Sequence, residues 1–211
     1  NLNTDDIAKF VEDNLWEFIS RSDVNWDGRE ESIYLDKSQI KEGLITLRII
    51  DGSGVELWSE QLSTSHAGWS QLFLCEMDDW QYLLRYNPAM YQGYCTYVYT
   101  LFTLKDGKEN VFCTNKLEFD INGTKKLDVT KMIKFADEVN ALLDKSNLLI
   151  SSTDGDFNFG PYSGEPFFER FSWLDMDEYK KLFEDGDSLE SKLNKFSEYA
   201  ISNRKLMEHR E

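Results

Sequence analysis

The chain has 211 residues, and its 39 acidic against 23 basic side chains give a formal net charge of -16. Such a field repels phosphate backbones and anionic lipid headgroups, which excludes nucleic-acid binding and peripheral membrane attachment as expected roles. The 41 % apolar fraction, with 6 Trp, 10 Tyr and 14 Phe, can fill a core, so the charge does not imply disorder.

Taken in chain order, the first predicted element is a helix capped by Thr4, in which Ile7, Phe10, Val11, Leu15, Phe18 and Ile19 recur at spacings of three and four. From about Glu31 to Phe119 the pattern changes to short β-branched and aromatic runs: Ile33 to Leu35, Leu44 to Ile50, Val55 to Trp58, Leu72 to Glu76 and Gln81 to Tyr86. The turns between them (Asp51-Gly52-Ser53-Gly54, Asp78-Asp79, Asp106-Gly107) are short enough to join neighbouring strands, which predicts an antiparallel meander. Asn87 to Tyr94 reads as a connection longer than a hairpin needs. After Asn122-Gly123, Asp128 caps a helix with a stripe of Met132, Phe135, Val139 and Leu142. Ser146 to Pro166 reads as a long ordered loop or the boundary of a small C-terminal subdomain. Two helices follow, one from Ser172 to Gly186 and one opening at Asp187, with Glu190 placed for a capping box and Leu189, Leu193, Phe196 and Ala200 on one face.

These elements predict an α+β domain, an antiparallel sheet of about six or seven strands packed by helices from both ends of the chain. Residues 1–145 hold the first helix, the sheet and its packing helix, and residues 146–211 hold a loop and two helices packed on the same domain. A monomer is expected. No apolar run approaches the roughly 18 residues of a membrane span. The chain begins at Asn1 rather than Met, so a leader or anchor is expected upstream.

Cys75, Cys95 and Cys113 have no zinc-ligand or redox spacing. Pairing Lys105 with Lys108 across the Asp106-Gly107 turn sets Thr100 opposite Cys113 and Cys95 opposite Glu118. The two cysteines then point to different faces, so no bond between them is expected, and Cys113 should be a buried, inert thiol.

The motif that carries chemistry is Asp23-Val24-Asn25-Trp26-Asp27-Gly28-Arg29-Glu30-Glu31, which fits D-x-N-x-D-G-x-x-E. Alternate residues of a tight loop turn inward and Gly at its sixth position permits a sharp reversal. Asp23, Asn25 and Asp27, the carbonyl of Arg29 and the carboxylate of Glu31 can therefore converge on one hard cation, calcium. Position 12 is Tyr34, which excludes a standard EF-hand. The unit reads as helix, calcium loop and strand, and the ion as structural, because no paired loop exists to act as a switch. The same Asx-rich sequence can also stabilise a turn without any ion. A second acidic group, Asp154, Asp156 and Asn158, has Phe159 where Gly is needed and reads as a solvated loop.

The Asp23 to Leu35 stretch resembles the calcium loops of FG-GAP and VCBS-type repeats, and Ile49 to Trp58 resembles the next hairpin of such a unit. A full propeller is not expected, since only one loop is present. The chain is similar in this respect to bacterial cell-surface proteins and lipoproteins that use a single unit, and the resemblance implies an extracellular or surface-anchored location.

Only His66 and His209 supply imidazoles, and no nucleophile, zinc or phosphate-loop motif is present, so a non-enzymatic module is expected. His66, among hydroxyl residues, reads as part of a surface loop. Trp69, Trp80, Tyr91 and Tyr94 fall in loops or strand ends and could form a platform for a protein or glycan. The alternative function is therefore carbohydrate binding, or weak carbohydrate hydrolysis through paired carboxylates, either of which needs an aromatic-lined cleft.

Overall fold

A computed structural model of the chain describes residues 4–64, 68–91, 94–120, 126–152, 157–158 and 181–208. The first helix, α1 (Thr4–Glu12), is shorter than its apolar spacing predicts. Asn14 takes a left-handed conformation (φ 56°), its N–H donates to the Val11 carbonyl and that of Leu15 to the Phe10 carbonyl. This is a Schellman closure with Asn in the place usually held by Gly. The chain then enters a strand, β1 (Trp16–Ser22), so Phe18 and Ile19 belong to a sheet and not to a helical stripe. The helix–loop–strand unit is thereby corrected to strand–loop–strand.

β1 pairs with β2 (Glu31–Asp36), which pairs with β3 (Leu44–Ile50), which pairs with β4 (Glu56–Ser63), all antiparallel. The second sheet contains β5 (Ser70–Met77), β6 (Trp80–Tyr91), β7 (Tyr94–Lys105), β8 (Lys108–Asp120), β9 (Ser146–Ser152) and β10 (Phe157–Asn158), in the order β10-β9-β5-β6-β7-β8. The fold is α+β and antiparallel, but the single meander of six or seven strands is corrected to two sheets of four and six strands. The Asn87 to Tyr94 connection is corrected as well. β6 runs through Pro88 to Tyr91, and Tyr91 pairs directly with Tyr94. Pro88, which has no N–H to offer, lies beyond the last regular β5–β6 rung, Gln71 with Tyr86.

Residues 146–152 form strand β9, where a loop is predicted. Its buried serines explain the misreading, because they look like loop residues yet pair inside the sheet. The Gln71 side-chain amide donates to Ser151 Oγ at 2.9 Å, and the Ser70 N–H donates to Ser152 Oγ at 3.1 Å. Between β8 and β9 lies α2 (Val129–Leu143), whose Asp128 side chain accepts from the Lys131 N–H at 3.0 Å as the capping pattern predicts. The last helix is α3 (Leu189–Glu208). Its first turn is capped by Ser188 Oγ, which accepts from Ser191 N–H at 3.2 Å, in place of the predicted box through Glu190. The preceding helix ends at Leu182 and not at Gly186, which takes φ 91° in a turn closed by the Asp187 N–H donating to the Glu184 carbonyl at 3.1 Å, while Ser172 lies outside the described residues.

The molecule is layered. Ile33, Leu35, Leu47 and Ile49 of the small sheet meet Leu83, Phe102, Leu104 and Ile150 of the large sheet in one buried cluster. The other face of the large sheet packs Phe73, Tyr86, Tyr97 and Leu101 against Met132, Phe135 and Val139 of α2 and Leu193 and Phe196 of α3. The six-stranded sheet is thus covered on both faces across β9, β5, β6 and β7 while edge strand β8 is mostly exposed, and α1 covers the outer face of the small sheet through Ile7, Trp16 and Ile50. Among the described residues no helix is long and apolar enough to cross a membrane.

The Asp106-Gly107 turn forms with φ 52° and 69°, and Lys105 pairs with Lys108 as predicted. A Cβ on Gly107 would lie 3.1 Å from the Leu57 carbonyl oxygen, a second reason for glycine there. The register further along differs from the prediction. Phe102 pairs with Val111 and Leu101 with Cys113, which leaves Phe112 as an extra residue, a β-bulge. Cys95 therefore opposes Phe119, and Cys95 and Cys113 lie on the same face of the sheet rather than on opposite faces. They remain unbonded, because they sit six residues apart along the ladder, and all three cysteines are free. Burial pushes the Cys95 thiol up to about 12 and raises Cys75 and Cys113. Cys113 is half-buried rather than buried as expected, so a thiol reagent should label native Cys75 and Cys95 only slowly, and three thiols should titrate on unfolding without reductant. Rapid native labelling of Cys95, followed by mass spectrometry, would contradict this packing.

Candidate functional site

The loop between β1 and β2 is built from the residues the motif picks out. Asp23 accepts the Asp27 N–H on Oδ1 at 3.1 Å and the Gly28 N–H on Oδ2 at 2.9 Å. Asn25 Oδ1 accepts the Asp27 N–H at 2.9 Å, and Asp27 Oδ1 accepts the Arg29 N–H at 2.9 Å. Gly28 turns the chain at φ 84°. These Asx bonds curl the loop so that Asp23 and Asp27 face Glu31, the first residue of β2, which is 1 % exposed. Glu31 accepts the Val24 N–H on Oε2 at 3.1 Å and the Asn25 side-chain amide on Oε1 at 2.9 Å.

Carboxylate oxygens of Asp23, Asp27 and Glu31 all lie within 4.8 Å of one another. Two oxygens on opposite sides of a calcium ion, each about 2.3–2.6 Å from it, are about 4.6–5.2 Å apart, so this spacing suits such an ion. Among the described residues no Lys or Arg forms an ion pair with any of the three. Burial first, and then the neighbouring charges of Asp23 and Asp27, raise the Glu31 carboxyl above its ordinary value, against the bond from Val24 N–H. The donor set is wholly oxygen, which matches a hard cation and not zinc or copper. Asn25 braces Glu31 through its amide nitrogen, and Arg29 is exposed with its N–H held by Asp27.

The loop is anchored to the large sheet at two places. Val24 is fully buried between the sheets and its carbonyl accepts the Leu104 N–H at 2.9 Å. Trp26 reaches across to donate its indole N–H to the Gln81 carbonyl at 2.8 Å. It does so from a left-handed backbone, φ 62°, a conformation that costs a bulky residue of order 1–3 kcal/mol and persists only where its surroundings hold it. Trp26 packs on Trp80 at 4.8 Å and on Tyr82 at 5.1 Å between ring centres. The spacing rules that single out Asp23, Asn25 and Asp27 pass over Trp26, since it occupies an x position of the motif.

The four aromatics predicted as a platform do not come together. Trp80 opens β6 and Tyr91 closes it, about 35 Å of extended strand away. Tyr94 sits beside Tyr91, its hydroxyl donating to Glu118 at 2.9 Å. Trp69 donates its backbone N–H to the Pro88 carbonyl at 2.8 Å. An open groove of about 480 Å³ is lined by Glu76, Asp78, Asp79, Asp144, Lys145 and neighbouring residues, with no Trp or Tyr among them. His66, Asp154 and Asp156 lie outside the described residues, and Asn158 pairs with Ser151 at the sheet edge.

Comparison with protein-family models, curated proteins and solved structures found no match.

Proposed function

We propose that this chain is a non-enzymatic extracellular or cell-surface module whose β1–β2 loop holds one structural calcium ion through Asp23, Asn25, Asp27, the Arg29 carbonyl and Glu31. The observation that carries the reading is the convergence of three carboxylates, one of them buried, with no cationic side chain paired to them among the described residues. Three negative charges within 4.8 Å repel one another, and a divalent ion relieves that repulsion and the cost of burying Glu31 together. The ion would stiffen a loop that already grips the large sheet through Val24 and Trp26, so its role is to fasten the two sheets. An extracellular setting supplies calcium at the millimolar levels that a single, modest-affinity loop requires.

Thermal melts of metal-stripped protein with and without calcium test this. Saturation to about a hundred times Kd adds about 2.7 kcal/mol, which in a domain of this size raises Tm by roughly 5–10 °C. The rise should vanish in Asp27→Ala. A Tm that does not move up to millimolar calcium would reduce the loop to a self-bonded turn.

A further inference from the structure

Beside the loop lies an exposed aromatic surface assembled from three distant parts of the sequence. Trp26 comes from the β1–β2 loop, Trp80 from the start of β6 and Phe112 from the bulge of β8. Trp80 is 50 % and Phe112 62 % exposed, and Trp26 is also exposed, while the more deeply buried Tyr82 links them, 5.1 Å from Trp26 and 5.4 Å from Phe112. At the bulge Phe112 has no partner across the ladder, and its exposed ring lies against Tyr82.

We propose that this surface docks an arginine- or lysine-bearing segment of a partner protein, with the cationic heads seated against the faces of Trp26, Trp80 and Phe112. Two observations select a cation over a sugar ring. The rings are inclined to one another, 51° for Trp26 and Trp80, 89° for Trp26 and Tyr82, and 61° for Tyr82 and Phe112. A pyranose stacks on a flat platform, and these rings offer none. Exposed ring faces flanked by carboxylates instead suit ammonium and guanidinium groups, each of which a single aromatic face attracts. The rim is acidic as well: exposed Asp78 and Asp79 immediately precede Trp80, and Asp27 follows Trp26. Asp78 is near enough that its charge, after burial, raises the Tyr82 hydroxyl. A net charge of -16 attracts basic partners to the whole molecule, and the rings give that attraction a place.

The surface goes beyond the calcium reading and does not depend on it, so the test is run both with calcium and with chelator. An acetylated hexa-arginine peptide is titrated at physiological salt into native protein, Trp80→Ala and Phe112→Ala, following tryptophan fluorescence and calorimetry. Both positions are exposed, and unchanged melting temperatures verify that the variants fold. Each substitution should weaken binding by about three- to tenfold with the net charge untouched, and Asp78→Asn with Asp79→Asn should weaken it further. Equal affinity for native and ring variants would overturn the proposal, leaving only the general acidic field. So would no binding by the native protein, or tighter binding of cellohexaose, which would assign the surface to glycans. A calcium response without peptide binding would refute this surface and leave the metal site standing, and the reverse result would do the opposite.

Discussion

Replacing Glu31 with glutamine should leave the metal-free protein at least as stable at neutral pH and erase its response to calcium, whereas alanine should erase the response and cost about 2–3 kcal/mol as well. The difference arises from the two bonds that Glu31 accepts, from the Val24 N–H and the Asn25 amide. Alanine leaves both donors without their acceptor. Glutamine keeps an acceptor for the buried Val24 N–H, and the Asn25 amide can turn its oxygen to the new NH2, because the Asp27 N–H has a second acceptor in Asp23 Oδ1. Glutamine also removes a charge that burial and two neighbouring carboxylates disfavour. The sign of the pH dependence comes from the same shift. The Glu31 carboxyl is raised in the fold, so between its ordinary value of 4.5 and the raised value the native state binds more protons than the unfolded chain. Its ionisation therefore lowers stability as pH rises through that window, and the penalty is absent below it. Calcium needs the carboxylate, so calcium stabilisation should grow with pH across the same window and binding should release protons. Urea melts of native protein and Glu31→Gln between about pH 4 and 7, with and without calcium, read both effects. A Glu31→Gln variant that still gained stability from calcium would remove Glu31 from the site.

How much of this was legible in sequence depends on how local the signal is. The Asp106-Gly107 turn, the Asp128 cap and the convergence of the Asp23, Asp27 and Glu31 carboxylates each depend on residues within a few positions, and each is present in the fold. The Schellman end of α1 was local too, written in Asn14, but the spacing of Leu15, Phe18 and Ile19 also fits a helix. A bulge between Phe18 and Ser20 obscures the alternation that would have marked β1. β9 escaped because the hydroxyls of Ser151 and Ser152 are partnered across the β5–β9 pairing, some eighty residues away. The division into two sheets and the cluster around Trp26 are also long-range facts. The indole N–H of Trp26 finds Gln81, and no pattern near residue 26 announces it. The same limit explains why the four-aromatic platform failed while an unforeseen aromatic surface formed.

Phe102 of β7 and Phe112 of the β8 bulge give the fold its sharpest test, because one is buried and the other exposed. Phe102 is fully buried between the sheets, its ring 5.7 Å from Trp58 and 4.9 Å from the Arg85 guanidinium. That guanidinium is held over the ring by pairs with Glu60 and Glu109, so the aromatic face seals a charged network at the edge of the apolar layer. Phe102→Ala removes the seal and opens a cavity in the layer that joins the two sheets, and should cost about 3–5 kcal/mol. Against a typical stability of about 5–15 kcal/mol, that is enough to lower Tm by roughly 10 °C or more. Phe112→Ala should change stability by less than about 0.5 kcal/mol, since its side chain stands largely in solvent. With no bulge, the ladder from Lys105 and Lys108 would set Phe112 opposite Leu101, on the buried face under α2. Chemical denaturation of the two variants therefore reads the register directly. A large loss in Phe112→Ala would restore the regular ladder, return Cys113 to the face opposite Cys95, and take away the third ring of the proposed docking surface.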